Sequence, residues 1–439
     1  MVATQSDPGA RPEGRGPQTL AEWLRWQEGL HVRDIDLGLE RCRSVAERMG
    51  LLSPRYPVVT VAGTNGKGST VAMIEAVFRH AGHRVATYTS PHLLRYNERI
   101  RIDGVPADDE RICRAFAAVE RAREGTSLTY FEFGTLAALT IFRETQPDLA
   151  ILEVGLGGRL DAVNVVDADV AVIAAIGIDH VEWLGGTREA IGREKAGIMR
   201  SGRPAVCSDP EAPASIVDTA AAIGADLSLL GHGFHYAEEE DGRWTWWSGD
   251  LALERLPRPG LAGDYQLRNA SGVIKAVTLL ADRLPVRPET IAAAIGATEL
   301  KGRFQRIVGP VETVLDVAHN TQAMEVFVAT LAALPVARRT RVVLGMLRTK
   351  DRRSVMRILD GAVDEWHFGT IDARQGATAA ELAATAREIG SRKTAGEYAS
   401  IAAAYASAKA AAEPGERIVV VGSFVTVGEV LRAMTQPAV

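Results

Sequence analysis

The sequence predicts an α/β protein with a mainly parallel sheet, in which a P-loop ATPase-like domain precedes a smaller Rossmann-like domain. Three observations support this prediction. Short valine-rich runs alternate with longer stretches that have apolar residues at helical spacing. The run at 58–61 leads directly into a glycine-rich loop that contains a lysine. Beyond a proline-containing connector at about 285–301 the same alternation resumes, which indicates a second domain.

The elements of the first domain follow in a regular order. Apolar residues at helical spacing predict helices at 19–27, 33–49, 108–122, 128–142, 187–199 and from 263 to about 281. Apolar runs bounded by turn residues predict strands at 58–61, 83–89, 147–156, 170–178 and 204–208. Between 231 and 253 the period changes to two, which predicts a hairpin. An acidic turn at 238–242 separates His235 and Tyr236 from its tryptophans, so packing of the tryptophans is favoured over stacking on nucleic-acid bases.

The second domain shows the same pattern on a smaller scale. Strands are predicted at 311–317, 341–345, 365–369 and 418–421, with helices between them. We therefore expect a disordered tail at 1–17, a P-loop domain at 18–297 and a C-terminal domain at 298–439. The tail is rich in Pro, Gly and Arg and has no apolar segment, which excludes a secretory signal.

Composition excludes several classes of function. With 439 residues, 46% hydrophobic and 24% charged, the chain is typical of a globular protein with sizeable cores. A formal net charge of −5 gives no support for nucleic-acid binding. No run of about eighteen apolar residues occurs, so we expect no membrane span. Three widely spaced cysteines argue against a disulfide framework or a thiolate zinc site, and they fit a reducing cytoplasm.

The stretch 58–80 predicts a site for a nucleotide triphosphate. Its loop contains three glycines, Gly63, Gly66 and Gly68. They allow a tight turn that brings backbone N–H groups close to an anion, and Lys67 adds a positive charge. Ser69 or Thr70 is expected to cap the following helix. The spacing departs from the common G-x-x-x-x-G-K-[ST] pattern, which indicates a particular branch of the P-loop enzymes.

Other polar residues follow the predicted strands. Glu153 ends an apolar strand beside glycines, and since a buried carboxylate needs a partner, it indicates a metal or a cation nearby. Asp179 and His180 lie at the carboxyl edge of the sheet, where α/β ligand sites form, although His180 alone fits a structural role equally well. Lys195, taken alone, is typical of a surface charge.

Two further segments have two interpretations each. The stretch 90–100 is polar, aromatic and basic, so it is either a solvated loop or a substrate-facing loop. In the second case Arg95 or Arg99 is available to carboxylates. The aromatic residues at 130–133 either belong to the core or line a pocket for a flat ring.

Nine short segments, read in order, resemble the motifs of one known family. The segments are 63–70, 89–93, 130–133, 153–161, 179–180, 194–198, 302–305, 316–320 and 422–424. They are similar to those of the folylpolyglutamate synthase and dihydrofolate synthase family, within the Mur-ligase superfamily of ATP-dependent amide ligases. The similarity extends from about residue 33 to the C-terminus. At 321–322 this chain has Thr-Gln where the family often has Pro-His.

The resemblance implies a nucleotide and metal site shared by both domains. Lys67, His180 and Lys195 match catalytic positions, and Lys195 matches a lysine that the family carries as an N-carbamate. Ser90, Glu153 and His180 match the magnesium ligands. The positions that match ATP-binding residues are Gly63, Thr64, Asn65, Gly66, Lys67, Gly68, Ser69 and Thr70 of the loop, Gln266 and Asn269 near the adenine, and Arg303, Asp316 and His319 of the second domain.

The resemblance also implies sites for the two other substrates. Glutamate-binding positions are His319 and Ser423. The positions in folate- or pteroate-binding segments are Pro91, His92, Leu93, Arg95, Tyr130, Phe131 and Glu132.

The implied reaction joins L-glutamate to a folate, and also to dihydropteroate, through an acyl phosphate. It uses ATP and two Mg²⁺ ions, and the resemblance allows a monovalent cation. We expect a cytoplasmic monomer without nucleic-acid or membrane partners, whose domains close around the substrates.

Alternatives remain at this point. The enzyme could be a monofunctional folylpolyglutamate synthase. A muramyl ligase of the same superfamily needs an extra N-terminal domain, for which too few residues precede the loop. A non-catalytic P-loop module leaves Glu153, His180 and Lys195 unexplained.

Overall fold

The computed structural model describes residues 16–33 and 35–435. The predicted tail at 1–17 therefore lies outside the described residues except for Gly16 and Pro17. The strands are β1 (Val58–Ala62), β2 (Val85–Tyr88), β3 (Ile100–Ile102), β4 (Val105–Pro106), β5 (Leu149–Glu153), β6 (Val170–Ile173), β7 (Pro204–Cys207), β8 (Asp226–Leu229), β9 (His235–Glu238), β10 (Trp244–Ser248), β11 (Leu251–Leu256), β12 (Gln305–Ile307), β13 (Glu312–Leu315), β14 (Thr340–Leu344), β15 (Glu365–Gly369), β16 (Thr394–Tyr398) and β17 (Arg417–Val421).

Helices connect most of these strands. The α-helices are α1 (Leu20–Glu28), α2 (Glu40–Arg48), α3 (Lys67–His80), α4 (Asp109–Arg123), α5 (Tyr130–Thr145), α6 (Val181–Leu184), α7 (Arg188–Ala196), α8 (Ala214–Ile223), α9 (Tyr265–Leu279), α10 (Pro288–Ala297), α11 (Thr321–Ala332), α12 (Arg352–Asp360), α13 (Ala379–Glu388), α14 (Ile401–Ala411) and α15 (Phe424–Thr435). In residues 16–33 and 35–435, no helix combines the length and apolar character that a membrane crossing requires.

The first lobe is built on an eight-stranded sheet with the order β4-β3-β2-β5-β1-β6-β7-β8. All pairings from β2 to β8 are parallel, and the hairpin β3–β4 adds an antiparallel edge. The β1 strand lies between β5 and β6 and is fully buried, as its valine-rich sequence predicts. Because these three strands are parallel neighbours, their carboxyl ends meet at one edge of the sheet.

Alternation along β1 divides the first lobe into two cores. Val59 and Val61 face helices α3, α9 and α10 on one side of the sheet. Val58 and Ala62 face α2, α4 and α5 on the other. The predicted hairpin is confirmed as β9–β10, extended by β11 into a three-stranded antiparallel sheet. Trp244 and Trp246 are buried against the first of these cores, so their predicted packing is confirmed.

The second lobe is built on a six-stranded sheet with the order β12-β13-β17-β14-β15-β16. Among these described strands, only the β12–β13 pairing is antiparallel. Helices α11, α12 and α13 cover one face, and α14 and α15 cover the other. The predicted α/β class, with mainly parallel sheets in two successive units, is therefore confirmed.

Two local predictions are wrong. The predicted helix at 33–49 is reduced to α2, which begins at Glu40. Upstream of it, the Asp36 carboxylate pairs with Arg41 at 2.7 Å and with His31 at 3.2 Å, so it stabilises an irregular segment instead of a helix. The helix after the glycine-rich loop is also not capped by Ser69 or Thr70. It begins two residues earlier, at Lys67, and its N-cap Gly66 has no side chain to offer.

Candidate active site

A cavity of about 230 Å³ lies between the carboxyl ends of β1, β5 and β6 and the facing loops of the second lobe. Residues of both lobes contribute to its walls. The predicted site residues that line it are Gly63, Thr64, Asn65, Gly66, Lys67, Gly68, Ser69, Ser90, Pro91, Glu153, His180, Lys195, Asn269, Arg303, Asp316 and His319. Parallel strand ends thus bring together side chains that are far apart in the sequence.

The glycine-rich loop is held by its own lysine. The Lys67 ammonium donates to the carbonyl oxygens of Gly63 at 3.0 Å and Thr64 at 3.3 Å. Burial lowers the pKa of Lys67, and the nearby carboxylates of Glu153 and Asp179 oppose that effect. The ammonium lies at the start of α3, so its charge and the backbone N–H groups of the first helical turn both attract an anion.

Gly66 is required by the loop for two reasons. Its φ of 89° lies in the left-handed region that side chains rarely adopt. A Cβ atom at this position would also lie 2.8 Å from the side-chain oxygen of Asn269. The loop therefore packs directly on helix α9.

Lys195 is buried below the same loop. It projects from α7, and its ammonium donates to the Gly63 carbonyl oxygen at 2.9 Å. Burial, together with the neighbouring Lys67 charge, lowers the pKa of Lys195 to about 7. A substantial fraction of this amine is therefore neutral and nucleophilic near neutral pH, unlike a surface lysine.

Glu153 ends β5 next to the loop. One of its carboxylate oxygens accepts a hydrogen bond of 3.1 Å from the backbone N–H of Ser90. Burial raises the pKa of Glu153, and Lys67 acts in the opposite direction. Within residues 16–33 and 35–435, no three His, Cys, Asp or Glu side chains form a metal-binding cluster. Since Mg²⁺ often uses one carboxylate and completes its shell with phosphates and water, Glu153 and the Ser90 hydroxyl suit such an ion.

Asp179 and His180 form a strained corner after β6. His180 has φ 50° and ψ 43°, a left-handed conformation that is uncommon for residues other than glycine. The Asp179 carboxylate accepts the backbone N–H of His180 at 2.8 Å and so stabilises the corner. Burial, together with the Lys350 charge, lowers the pKa of His180 to about 4. Its imidazole is therefore neutral at pH 7, the form that binds metals.

Sequence reasoning missed several second-lobe residues at this edge. The Lys350 ammonium contacts Asp179 at 2.7 Å. Asn65 of the glycine-rich loop donates to the side-chain oxygens of Gln322 at 2.7 Å and Asn320 at 3.3 Å. Lys350 follows the predicted strand at 341–345, so its place beyond a parallel strand end was a usable signal. Gln322 departs from the family pattern, but that departure does not indicate its contact with Asn65, which depends on how the lobes meet.

The predicted ATP-closing residues lie opposite the glycine-rich loop. Arg303 lies over the ring of Phe424, 5.0 Å from its centre, and its guanidinium is close to Gly68. The buried Asp316 carboxylate accepts two backbone N–H groups at 2.7 Å, from Phe304 and Ala318, which fixes the turn before His319. The Arg303 guanidinium therefore faces the glycine-rich loop, which is predicted to hold the phosphates.

The two residues predicted near the adenine support the loop from below. Asn269 donates to Gln266 at 2.9 Å, and Gln266 donates to the Ser69 hydroxyl at 3.3 Å. Both side chains are buried, and only Asn269 of the two lines the cavity. Their assignment to the adenine stays a prediction.

Two aromatic residues of the predicted folate segments, Tyr130 and Phe131, contact other side chains of the first lobe. Phe131 stacks on Tyr88 with ring centres 5.7 Å apart, and it lies against Gly155 beyond β5. The Tyr130 ring lies beneath the guanidinium of Arg99. Both rings are partly buried, and Phe131 lies next to the strand end that carries Glu153. They stay candidates for a flat-ring site.

Glu132 is occupied by contacts within the protein. Its carboxylate accepts the backbone N–H of Thr129 at 2.7 Å, completing a capping box at the start of α5. It also pairs with Arg41 at 3.1 Å. These contacts describe a buried helix cap, and any role in substrate binding stays a prediction.

Besides Thr70, which is buried in the first turn of α3, four other predicted residues do not line the cavity. His92 accepts a hydrogen bond from Arg99, and Arg95 pairs with Asp109 at the surface. Leu93 packs against the second-lobe core. Ser423 is buried, and its hydroxyl accepts the backbone N–H of Thr426 at 3.0 Å. The roles predicted for these four residues are not evident from these contacts.

Comparison with known proteins identifies the family. The Mur ligase middle domain matches residues 61–208, and the Mur ligase glutamate ligase domain matches residues 302–424. A dihydrofolate synthase/folylpolyglutamate synthase from Escherichia coli K12 is 43% identical, over 96% of this chain and 97% of that protein. The protein of the same description from Haemophilus influenzae is 39% identical, over 93% of this chain and 96% of its own length.

Solved structures agree with these sequence matches. E. coli FolC in complex with DHPP and ADP has a TM-score of 0.90 at 42% identity, covering 96% of this chain and 99% of that chain. A bifunctional folylpolyglutamate synthase/dihydrofolate synthase with Mn, AMPPNP and L-glutamate bound has a TM-score of 0.88 at 41% identity, covering 96% and 100%. The fold described above thus occurs in proteins of similar length, and this chain belongs to the dihydrofolate synthase/folylpolyglutamate synthase family of Mur ligases.

Proposed function

We propose that this protein is an ATP-dependent ligase that joins L-glutamate to dihydropteroate and to a reduced folate. One observation carries the proposal. Lys67, Glu153 and His180 of the first lobe face the same cavity as Arg303, Asp316 and His319 of the second. Names of the similar proteins support both activities, and the complexes with DHPP, ADP, AMPPNP and L-glutamate support the substrate classes.

The first step activates a carboxylate. A carboxylate is a poor electrophile, so the γ-phosphoryl group of ATP is transferred to it and gives an acyl phosphate. Lys67 at the helix start, with Arg303 opposite, neutralises the charge that develops on the phosphoryl oxygens. Because Lys67 belongs to the first lobe and Arg303 to the second, a triphosphate held by both side chains lies between the lobes.

The second step forms the amide. The α-amine of L-glutamate attacks the acyl carbonyl, the C–N bond forms, and inorganic phosphate leaves with the former carboxylate oxygen. Water competes with the amine for the acyl phosphate, so the cavity must exclude it. The contacts between Asn65 and the second-lobe residues Asn320 and Gln322 close the cavity on the side of the loop.

Magnesium fits the donors on the first lobe. Glu153 and the Ser90 hydroxyl would hold one ion beside the phosphates, and the neutral imidazole of His180 would hold a second. When bound, such ions neutralise phosphate charge and orient the phosphoryl group. The Mn in a similar structure supports divalent metal use.

Lys195 suits the proposed N-carbamate. A neutral amine attacks CO₂, forms a C–N bond and releases a proton, which converts the side chain into an anion. The pKa of about 7 provides the neutral amine, and burial beside Lys67 provides a partner for the anion. This modification would replace the repulsion between two ammonium groups by an attraction.

We also infer the organisation of the protein. Domains at 18–297 and 298–439 agree with the separation of the eight-stranded and six-stranded sheets. We propose a cytoplasmic monomer that binds no nucleic acid and that can use a monovalent cation.

The decisive assay uses the purified full chain with ATP, magnesium and labelled L-glutamate. Dihydropteroate and tetrahydrofolate are offered separately, and labelled products are separated by chromatography. We expect ATP-dependent products from both acceptors. Product from tetrahydrofolate alone would identify a monofunctional folylpolyglutamate synthase, and no product from either acceptor would refute the proposal.

Carbamylation has its own test. The protein is equilibrated with ¹³C-labelled bicarbonate and examined by ¹³C NMR for a carbamate signal. We expect a signal in the wild type that is missing from Lys195→Ala. An unchanged signal in that variant would show that the label is attached to another amine.

A further inference from the structure

A charged residue of the second lobe reaches the first lobe beside the candidate metal site. The Nζ atom of Lys350 lies 2.7 Å from a carboxylate oxygen of Asp179 and 3.4 Å from Nε2 of His180. Only 9% of the Lys350 side chain and 12% of the Asp179 side chain are exposed. This ion pair forms only when the lobes are together, because its two partners belong to different lobes.

Asp179 is the point where several second-lobe groups converge. Besides Lys350, the Asn320 side chain donates to it at 3.1 Å, and Nε2 of His319 lies 3.6 Å away. Hydrogen bonds between an ammonium group and a carboxylate are stronger than those between neutral groups, so the Lys350 contact is expected to contribute most among them.

The corner formed by Asp179 and His180 needs external support. His180 occupies the left-handed region of backbone space, which is unfavourable for a residue with a side chain. Such conformations persist where surrounding contacts hold them in place. Lys350 contacts both residues of the corner, so it is well placed to supply that support from the opposite lobe.

A separate contact holds the lobes together without this ion pair. Leu93 of the first lobe packs into the apolar core of the second. The Leu93 carbonyl lies against Gly428 of α15, and Arg432 reaches the same carbonyl at 3.4 Å. Loss of Lys350 should therefore loosen the cavity side of the interface without separating the lobes.

From these contacts we propose that Lys350 is a positioning residue for the ligase reaction. It fixes the Asp179–His180 corner when the second lobe closes over the nucleotide, so the site is complete only in the closed arrangement. Lys350 acts through Asp179 and does not itself contact a substrate. The proposal rests on the proposed function, because the reaction that it affects is the ligase reaction.

The test compares Lys350→Met, Asp179→Asn and the double variant with the wild type. A charged hydrogen bond of this kind predicts a loss of about tenfold to a hundredfold in kcat for Lys350→Met. The affinity for AMPPNP, measured by calorimetry, and the KM for L-glutamate should stay within about twofold, because Lys67 and its loop are unaltered. Lys350→Arg should recover most of kcat. Arg348→Met is the matched control, since Arg348 pairs with Glu381 inside the second lobe.

A second readout does not depend on turnover. Small-angle scattering with AMPPNP should show less compaction for Lys350→Met than for the wild type. The double variant should be no slower than the slower single variant, because both changes remove the same contact. If Lys350→Met does not fold, Asp179→Asn removes the same ion pair from the other side and provides the comparison with the wild type.

Three results would overturn the proposal. Wild-type kcat and compaction in Lys350→Met would show that the ion pair has no positioning role. Losses that multiply in the double variant would show that the two residues act independently. A raised KM for L-glutamate with unchanged kcat would make Lys350 a substrate contact. An inactive wild type in the same assay would instead refute the proposed function.

Discussion

Lys195 donates a hydrogen bond of 2.9 Å to the carbonyl oxygen of Gly63, which ties helix α7 to the glycine-rich loop. The same oxygen also accepts a hydrogen bond from Lys67. Two buried ammonium groups therefore share one acceptor, and each disfavours the charge of the other. This crowding gives the first prediction.

Lys195→Met should stabilise the ligand-free protein at neutral pH while abolishing activity. The Lys195 pKa falls from 10.5 in the unfolded chain to about 7 in the folded chain, so charge on this group opposes folding below about pH 7. Between these two values the unfolded chain binds a proton that the folded chain does not, and wild-type stability rises with pH. In the variant, the Gly63 carbonyl oxygen still accepts a hydrogen bond from the Lys67 ammonium. We expect a gain of about 1–3 kcal/mol at pH 7 that shrinks towards pH 10.5.

Urea unfolding in bicarbonate-free buffer at several pH values measures this difference. The matched control is Lys409→Met, which replaces a solvent-facing lysine in the last turn of α14. Because this variant keeps Lys195 and loses only a solvent-facing side chain, its stability should follow the wild-type pH profile, and its difference from the wild type should not change with pH. A destabilised Lys195→Met protein at pH 7 would contradict the account of two competing ammonium groups.

Gly428→Ala should weaken the contact between the lobes. A Cβ atom there would collide with the backbone carbonyl oxygen of Leu93, which cannot move as a side-chain tip can. Overpacking of this kind costs about 1–3 kcal/mol. The control is Gly361→Ala, because a Cβ at Gly361 meets no atom within 4 Å. Thermal unfolding of both variants gives the comparison, and equal melting temperatures would show that the contact is loose.

Gly155→Ala should impair the folate substrate selectively. Its Cβ would lie 2.7 Å from Cζ of Phe131, so the ring must shift from its stacked position on Tyr88. If Phe131 lines the flat-ring site, KM for the pteroate or folate substrate rises roughly tenfold, and KM for ATP does not. Steady-state kinetics with each substrate varied in turn provides the measurement. Equal effects on both KM values would indicate general damage to the cavity.

Glu132→Gln should affect stability more than substrate binding. Gln can still complete the capping box with Thr129, but the ion pair with Arg41 is lost. We expect a loss of about 1–2 kcal/mol, with KM for each substrate unchanged. Glu22→Gln is the matched control, since Glu22 forms the equivalent capping box on α1 at an exposed site. A large rise in KM for the folate substrate would show that Glu132 contacts it directly.

Much of the site could be predicted because parallel strands concentrate their carboxyl ends. Glu153 after β5, the Asp179–His180 corner after β6 and the loop after β1 belong to neighbouring strands in the observed order. Local sequence was sufficient to find each strand, and sheet geometry then brought their ends together. The first domain's central elements follow from patterns of only a few residues each.

Other features depend on contacts that local patterns do not contain. The irregular segment before α2 is held by Asp36, whose partners include His31. Strand β16 was missed because its sequence, Thr-Ala-Gly-Glu-Tyr, lacks an apolar run, and it pairs only at the sheet edge. The approach of Lys350 to Asp179 depends on the relative placement of two lobes, which no single stretch of sequence specifies.

The segment that begins at Ser90 has a further consequence. The Ser90 N–H contacts the Glu153 carboxylate, and three residues later Leu93 packs against the core of the opposite lobe. A rotation of that lobe would therefore move residues 90–93, and with them the contact between Ser90 and Glu153 at the candidate ion site. A compound bound beside Leu93 would therefore disturb the candidate ion site from the interface between the lobes.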